Sequence, residues 1–377
     1  MSETVIVGGG AVGVSTAYNL ALKGVKVTVV EKGYLGCGSS TRNAGGFRVH
    51  FKSPENVRYM TEGRRRLLSL GRRLGVNVLP LETGYLWLLS GEDEVAQFRS
   101  LNSVWSSLGV AGKFIGVDGA KEMLPDVKLD ETTEAFLGPQ DGTFHHDFVI
   151  QGYERKLREL GVTVLENTEV TGIQVSSGKI SGVEAGSKVI PAQRVAVCAG
   201  AWTPKVTALA GVNVPITPER RELGVTEPFK YMFKPFVISQ HHGVYFAQGI
   251  RGDLRGTVTD YKTTGYVPLV STEAWTRMFA QRICRLVPAL RGVGLNRQWS
   301  GYYEITPDHS QIMGEDEQWP EGLSVCAGFS GHGMMMSPLT GELMAEYLAD
   351  GRVSPLMGPY SPERFRKGKL LDELMVI

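Results

Sequence analysis

Residues 5–32, VIVGGGAVGVSTAYNLALKGVKVTVVEK, join an apolar run, three spaced glycines, a helix-like segment and a second apolar run that ends in an acid. The three β-branched residues at the start predict a buried strand. Gly8, Gly10 and Gly13 follow at the G-x-G-x-x-G spacing. That spacing gives a tight turn, lets the backbone approach a pyrophosphate and lets the next helix pack closely on the strand. The stretch therefore predicts a βαβ unit with a dinucleotide-binding loop.

The segment that follows supports the same interpretation. Residues 11–22 contain no proline and are apolar on one side, and Gly24 is placed to end a helix. Glu31 lies 18 residues after Gly13, near the spacing at which an acid binds a ribose hydroxyl. An acid there disfavours a ribose phosphate, so the pattern favours FAD or NAD over NADP. The alternative is a βαβ unit that binds nothing.

Size and composition place the chain among two-domain soluble enzymes. It has 377 residues, of which 42% are apolar and 21% are charged. Its net charge of +1 gives no indication of a basic surface that binds nucleic acid. The basic run GRRRLLSLGRRLG at residues 63–75 has leucines at helical spacing. We interpret it as the solvated face of an amphipathic helix rather than an anion-binding site. Ser53, Pro54 and Glu55 predict where that helix begins.

The sequence predicts a cytoplasmic protein. No 18-residue segment is apolar and uncharged, and the first strand begins so early that no room is left for a signal peptide. The cysteines form no C-x-x-C pair, so neither a disulfide framework nor a zinc site is expected. They are Cys37, Cys198, Cys284 and Cys326.

A second glycine-rich loop near the end of the chain resembles the first in its setting. A strand ends at Ala327, the loop GFSGHG follows, and a helix begins either near Ser337 or at Met334. The positive end of such a helix would stabilise negative charge on the pyrimidine edge of a reduced flavin. The alternative is an ordinary glycine-rich connection. The loop EKGYLGCGSSTRNAGGFR, residues 31–48, is rich in small residues that suit a long cofactor lying over the backbone.

These motifs together carry a family resemblance. The chain resembles the D-amino-acid oxidase/sarcosine oxidase superfamily of FAD enzymes, and within it the catalytic (beta) subunits of archaeal dye-linked L-proline dehydrogenases. The resemblance covers nearly the whole chain. It rests on VIVGGGAVG, TGYLWLL, AGAW, RQWSGYYEITPDHSQIMG and AGFSGHGMMMSP, in that order.

The resemblance implies an α/β plus α+β fold. A Rossmann-like FAD-binding domain would be joined to a discontinuous substrate domain built on an antiparallel sheet. Strand-like runs at residues 83–90, 243–249 and 256–261 agree with that sheet. The FAD-binding domain would comprise residues 1–82, 143–215 and 299–377, and the substrate domain residues 83–142 and 216–298.

The resemblance also assigns the site. The cofactor-binding residues would be Gly8, Gly10, Gly13, Glu31, Lys32, Ser40, Thr41, Arg42, Gly45, Gly46, Val170, Ala199, Gly200, Trp202, Gly301, Gly328, Gly331, His332, Gly333 and Met334. The substrate would lie between the flavin and the antiparallel sheet. The catalytic candidates are Arg48, Tyr245, Tyr303, His332 and Met335.

Three departures from the oxidases of this superfamily favour a dehydrogenase. Gly301 stands where monomeric sarcosine oxidases have the cysteine that tethers the flavin, so FAD is expected to be non-covalent. Met335 stands where they have a lysine that binds the substrate carboxylate. Residues 249–259 contain arginines but no lysine to assist the reaction with oxygen. The expected reaction is hydride transfer from the amine-bearing carbon of L-proline, or a similar secondary amino acid, to flavin N5. The electrons would pass to a quinone-type or artificial acceptor.

Each candidate also has a structural interpretation. Arg48 would anchor the carboxylate, lie on the flavin face or sit at the surface. Tyr245 and Tyr303 would bind the carboxylate or be core tyrosines, and His332 would act as acid/base or hydrogen-bond locally. The methionines at 334–336 are expected to pack beside the ring.

Two further groups of polar residues are expected to be structural. The pairs His145–His146 and His241–His242 lack a third ligand at a sensible spacing, so no metal site is expected. Asp308 is interpreted as a turn or cap residue.

Other functions remain open at this point. They are a sarcosine, glycine or D-amino-acid oxidase that produces hydrogen peroxide, a non-catalytic flavin-binding subunit or assembly factor, and an NAD-binding module. Electron-transfer partner subunits, a homo-oligomer, or a peripheral membrane location through a partner are compatible with the proline branch.

Overall fold

The computed structural model describes residues 4–373 and Met375. Two large sheets dominate it, one mostly parallel and one mostly antiparallel. The strands are β1 (Thr4–Val7), β2 (Val27–Val30), β3 (Gly46–Phe47), β4 (Tyr85–Leu89), β5 (Lys113–Phe114), β6 (Glu134–Gly138), β7 (Gly142–Thr143), β8 (Thr163–Leu165), β9 (Val170–Ser176), β10 (Lys179–Ala185), β11 (Lys188–Pro191), β12 (Arg194–Val197), β13 (Thr217–Thr226), β14 (Phe236–Ser239), β15 (Val244–Gln248), β16 (Leu254–Val258), β17 (Lys262–Thr264), β18 (Leu295–Ile305), β19 (Ile312–Gly314) and β20 (Leu323–Ala327).

Helices cover the sheets. They are α1 (Ala11–Leu22), α2 (Pro54–Leu74), α3 (Glu92–Ser107), α4 (Gly116–Met123), α5 (His146–Glu159), α6 (Thr203–Ala208), α7 (Glu273–Leu286), α8 (Gly333–Asp350) and α9 (Glu363–Arg366). Short 3₁₀ segments occur at Ser39–Thr41, Gly200–Trp202, Pro288–Gly292 and Gly358–Tyr360. Among the described residues, no helix is long and apolar enough to cross a membrane.

The first sheet has six strands in the order β19-β20-β12-β1-β2-β8. All its pairs are parallel except β19–β20. Its central strands are buried along their whole length, as expected for a parallel sheet covered on both faces. The predicted βαβ unit is confirmed, with α1 between β1 and β2. Helix α8 packs tightly on α1, and a Cβ on Gly341 would overlap Ser15.

The second sheet has nine strands, with the path β17-β13-β16-β15-β14-β4-β6-β5 and β18 paired to β13. The three strand-like runs of the sequence all join it. The β14–β4 pair is parallel, so the sheet is mixed rather than purely antiparallel. Smaller sheets are β11-β10-β9 and β3-β7. The predicted fold class is confirmed. The domain boundaries chosen from the sequence stay a prediction.

The two helix starts of the sequence analysis have different outcomes. Helix α2 begins as predicted, with the Ser53 side chain accepting a hydrogen bond from the Asn56 N–H. Helix α8 begins at Gly333, so the methionines form its first turn and a start at Ser337 is wrong. Pro338 then lies inside the helix, where it lacks an N–H. The Ser337 hydroxyl donates to the Met334 carbonyl at 2.9 Å and satisfies this acceptor.

Candidate active site

A cavity of about 690 Å³ lies where the carboxyl ends of β1, β2, β12 and β20 meet strands β13 and β18. This is the edge of a parallel sheet at which α/β proteins bind ligands. Most residues predicted to bind the cofactor line the cavity: Gly8, Gly10, Glu31, Lys32, Ser40, Arg42, Val170, Ala199, Gly200, Trp202, Gly301, Gly331, Gly333 and Met334. Tyr303 lines it as well.

Other predicted cofactor residues lie behind this wall. A Cβ on Gly13 would overlap the Gly8 carbonyl oxygen, so this glycine permits the close packing of α1 on β1. Gly45 and Gly46 lie against Phe144 and Tyr85. Gly328 contacts Thr306, and the Thr41 hydroxyl donates to the Gly36 carbonyl at 2.9 Å. These positions shape the loops around the cavity, and their direct contact with a cofactor stays a prediction.

Glu31 organises the glycine loop. Its carboxylate accepts from the Gly9 N–H at 2.7 Å and the Gly33 N–H at 2.8 Å. On the other side of the loop, the Ser40 hydroxyl accepts from the Ala11 N–H at 2.9 Å and caps α1. Because both ends of the loop are held, the backbone keeps its shape without a ligand. Glu31 still lines the cavity, beside the place predicted for a ribose.

Lys32 and Trp202 come together across one end of the cavity. The Lys32 ammonium lies 4.0 Å from the centre of the Trp202 ring, within cation–π range. Lys32 follows β2 and Trp202 follows β12, so the contact joins the ends of two strands. It places a positive charge at the ribose end of the cavity.

Arg48 is almost completely buried and is held by two acceptors. Its Nη2 lies 3.0 Å from Nε2 of His332 and donates to the Met375 carbonyl oxygen. Its guanidinium stacks 4.5 Å from the centre of the Phe51 ring. Nη1 is buried and has no hydrogen-bond partner among the described residues. The arginine therefore has one unused donor group, and the surface interpretation of Arg48 is wrong.

The contact with Arg48 fixes the state of His332. An arginine can only donate, so His332 Nε2 must be the acceptor and the ring proton must sit on Nδ1. Burial lowers the pKa of His332 well below its usual value, and the Arg48 charge lowers it further. The ring is therefore neutral at neutral pH. His332 positions Arg48, and Nε2 is unable to act as a base while this bond is made.

Glu373, Tyr85, Asp141 and Tyr303 interact electrostatically with the Arg48 guanidinium. Tyr245 joins this group through a hydrogen bond with Tyr303. Burial raises the pKa of Tyr85 and of Tyr245 above the usual range, so both phenols stay protonated. Tyr85 was missed by the sequence analysis, which used it only as part of a strand. Tyr85 lies in a run of apolar strand residues, so the sequence around it does not indicate a functional site.

Two arginines lie near the tyrosines. Arg255 on β16 is half-buried, and its Nε donates to the Ala44 carbonyl at 2.6 Å. Arg221 lines the cavity with its guanidinium 5.2 Å from the Tyr303 ring centre. Met335 is buried in α8 and packs in the core with Met336, and the packing of these methionines beside a flavin ring stays a prediction. Gly301, with no side chain, leaves room beside Arg42.

The two histidine pairs differ. Nε2 of His146 lies 3.5 Å from its neighbour Asp147. His241 and His242, however, both meet Glu131, with Nε2–Oε2 distances of 3.2 and 2.8 Å. The expectation that this pair lacks a third ligand is therefore wrong, because Glu131, from a distant loop, places a carboxylate oxygen close to both rings. Arg285 also donates to Glu131, so the cluster is a charge-balanced surface network.

The cavity fits an elongated cofactor with an anionic centre. The N-termini of α1 and α8 both reach its wall, at Gly10 and Gly333, and helix N-termini favour negative charge. Several positions along its wall are glycines, so no side chain fills the cavity there. At one point a buried carboxyl oxygen, Oε2 of Glu304, has no hydrogen-bond partner among the described residues. These features suit FAD, with its pyrophosphate near α1 and its ring near α8.

Comparisons with known proteins agree with this site. The glycine oxidase of Geobacillus kaustophilus is 25% identical over 96% of this chain and 97% of that protein. The sarcosine oxidase subunit beta of Rhodobacter capsulatus is 27% identical over 98% of this chain and 90% of that protein. The crystal structure of L-proline dehydrogenase from P. horikoshii has a TM-score of 0.92 and 33% identity, covering 98% of this chain and 99% of that one.

The sequence model of one protein family covers most of the chain. It is the DAO family, described as FAD dependent oxidoreductase, and it matches residues 3–347. The resemblance inferred from the motifs and the cofactor inferred from the cavity are both confirmed. The chain belongs to the DAO family of FAD-dependent oxidoreductases, and its cofactor is FAD.

Proposed function

We propose that this protein is an amino-acid dehydrogenase that oxidises L-proline or a similar secondary amino acid. The observation that carries the proposal is the unused, buried Nη1 of Arg48, whose guanidinium interacts electrostatically with Tyr85 and Tyr303. A buried guanidinium with a free donor suits a carboxylate, because planar donors match its two oxygens. The names of the relatives, an L-proline dehydrogenase and sarcosine and glycine oxidases, support an amino acid as the substrate.

Each residue around the guanidinium has a task in the proposed reaction. Arg48 would bind the carboxylate through Nη1, while His332 and the Met375 carbonyl hold its other nitrogen. The Tyr245–Tyr303 pair would orient the substrate and present an aromatic wall to the amine. The bound FAD would supply the hydride acceptor at flavin N5. Because Arg48, Tyr85 and Tyr245 are buried, water would be excluded when the substrate binds.

The acceptor and the partners follow from the same reasoning. The absence of lysine in residues 249–259 supports an electron acceptor other than oxygen, such as a quinone or a dye. Gly301 in the cavity wall supports FAD held without a covalent bond. The word subunit in the name of the R. capsulatus relative supports a partner chain that relays electrons. A cytoplasmic location and the two-domain division stay predictions.

The test is an absorbance spectrum of the FAD-loaded protein under nitrogen, before and after addition of L-proline. The flavin bands should bleach, and admitted air should restore them only slowly, whereas a quinone or dye should restore them rapidly. The variant Arg48→Met should keep the flavin spectrum but require much more substrate to bleach. Arg251→Met is the matched control, because Arg251 is an exposed arginine in the loop between β15 and β16.

Two results would contradict the proposal. Rapid reoxidation by air with stoichiometric peroxide would make the protein an oxidase. Flavin bands that persist with L-proline, D-proline, sarcosine and glycine would favour a non-catalytic flavin-binding subunit. Bleaching by sarcosine or glycine alone would remove the proline assignment.

A further inference from the structure

The cavity contains one carboxyl group to which the proposed reaction gives no task. Glu304 lies on β18 and lines the cavity next to Tyr303. The N–H groups of Gly328 and Phe329, in the loop predicted to bind the flavin ring, donate to its carboxylate. Its own carbonyl accepts from the Ser330 N–H at 3.2 Å. The side chain is thus tied to the loop that separates β20 from α8.

The second oxygen of this carboxyl is an anomaly. Oε2 is buried, and no described residue donates to it. A Cβ built on Gly200, at the opposite wall, would lie 3.4 Å from it. A buried carboxylate oxygen without a donor is costly, and this cost falls when the group carries a proton. The group is thus prepared to hold a proton inside the cofactor cavity.

The surroundings of Glu304 agree with this. Burial raises the pKa of Glu304 to about 7, and the two N–H groups oppose the rise. No charged side chain of the described chain is among these causes. The nearest thiol, Cys326 on β20, has its pKa raised well above the usual value by burial and by its contact with Cys198, so it stays protonated. The cationic side chains of the wall are Lys32, Arg42, Lys205 and Arg221.

We propose that Glu304 is a proton acceptor coupled to reduction of the bound flavin. Glu304 takes one proton from solvent when an electron pair enters the cofactor, and it releases that proton when the pair leaves. The reason is electrostatic. Two electrons and one proton add one negative charge to the cavity, and a like charge nearby favours the neutral form of a carboxyl group. The inference rests on bound FAD and is independent of which amine is oxidised.

The test is the midpoint potential of the FAD-loaded protein as a function of pH, measured by dithionite titration with reference dyes and without substrate. For a two-electron couple, one proton gives a slope of about 30 mV per pH unit and two protons about 59 mV. Between about pH 7 and the higher pKa that Glu304 acquires when the flavin is reduced, the unmodified protein should take up as much as one proton more than Glu304→Gln. Any proton taken by the flavin itself is common to both chains and cancels in this comparison.

Glu315→Gln is the matched control. Glu315 is another carboxyl whose pKa is raised by burial, but it is outside the wall of the cavity. This variant should keep the slope of the unmodified protein. If Glu304→Gln also keeps that slope, the proposal is wrong.

A second measurement can contradict the proposal in the unmodified protein, without any variant. The infrared difference spectrum between the reduced and oxidised protein should contain the C=O stretch of a newly protonated carboxyl group. Its absence in the unmodified protein near neutral pH would overturn the proposal, even if Glu304→Gln fails to fold. Loss of the band in Glu304→Asp or Glu304→Gln, or its shift in the former, would assign it to this residue.

Discussion

Replacing Asp308 by asparagine should destabilise the protein strongly. Asp308 follows β18, and its carboxylate accepts from Arg364 Nε at 2.7 Å and Nη2 at 3.0 Å. It also accepts from the Leu371 N–H at 3.1 Å. Both side chains of the ion pair are buried. The ion pair holds in place the segment that continues to Met375, whose carbonyl accepts a hydrogen bond from Arg48.

The expected magnitude follows from burial. Removing one partner of a buried ion pair costs about 3–5 kcal/mol, because the other charge is left uncompensated. At about 2.1 cal/mol/K per residue, unfolding 377 residues has an entropy near 0.8 kcal/mol/K. The midpoint of thermal unfolding should therefore fall by about 4–6 °C. The loosened segment should also weaken the hold on Arg48.

The assay is calorimetric unfolding of the FAD-loaded protein at neutral and acid pH. Burial by itself would raise the pKa of Asp308, but the hydrogen bonds and charge of Arg364, together with the N–H groups of Leu371 and Ser310, outweigh it and the net pKa is lowered. The pair therefore contributes above the pKa of an unfolded aspartate, about 3.9, and its contribution is lost as pH falls through the lower folded pKa. The deficit of Asp308→Asn should shrink in that acid range.

Glu317→Gln is the control for this prediction. Glu317 pairs with Arg366 at 2.9 Å near the same segment, but the pair is exposed and should contribute at most about 1 kcal/mol. Equal shifts in the two variants would refute the reasoning from burial.

Three further predictions concern the cavity and Arg48. Gly13→Ala should destabilise the folded protein by about 1–3 kcal/mol and release FAD, because its Cβ would overlap Gly8. Gly63→Ala in α2 is the control, because its Cβ meets only the flexible side chain of Met60. Thermal unfolding and the fluorescence of released FAD measure the effect in both variants. Arg48→Lys should raise the KM for the amine about tenfold, since one ammonium is unable to replace the guanidinium; steady-state kinetics check this. His332→Gln should leave the shape of the pH profile of flavin bleaching unchanged, because His332 is already neutral. If the variant lost the acid limb of this profile, His332 would be an acid or base in the reaction after all.

Local features of the sequence predicted the structure well. The start of α2 and the βαβ unit are encoded within a few residues, by Ser53 and by the spaced glycines. The start of α8 was ambiguous because a serine–proline step is also compatible with a helix interior when the serine hydroxyl bonds a carbonyl.

Features made by distant residues escaped prediction. Asp308 lies in a turn, as interpreted, and accepts from the Ser310 N–H at 3.4 Å. Its ion pair with Arg364 escaped prediction because Arg364 lies 56 positions away. Tyr85, Glu304 and Glu131 acquire their settings only when separate strands and loops meet. Periodicity and capping rules describe neighbours along the chain, so they carry no information about such pairs.

The strand order of the parallel sheet has a consequence for synthesis on the ribosome. Strand β1 pairs with β12, and β12 pairs with β20, whose last residue is Ala327. The loop that completes the flavin end of the cavity is translated after that. A nascent chain therefore exposes an unpaired edge of β12, and lacks a complete FAD site, until β20 and the loop after it have been made. We expect cofactor capture to follow the synthesis of this loop, and FAD supply to influence how much of the newly made protein escapes aggregation.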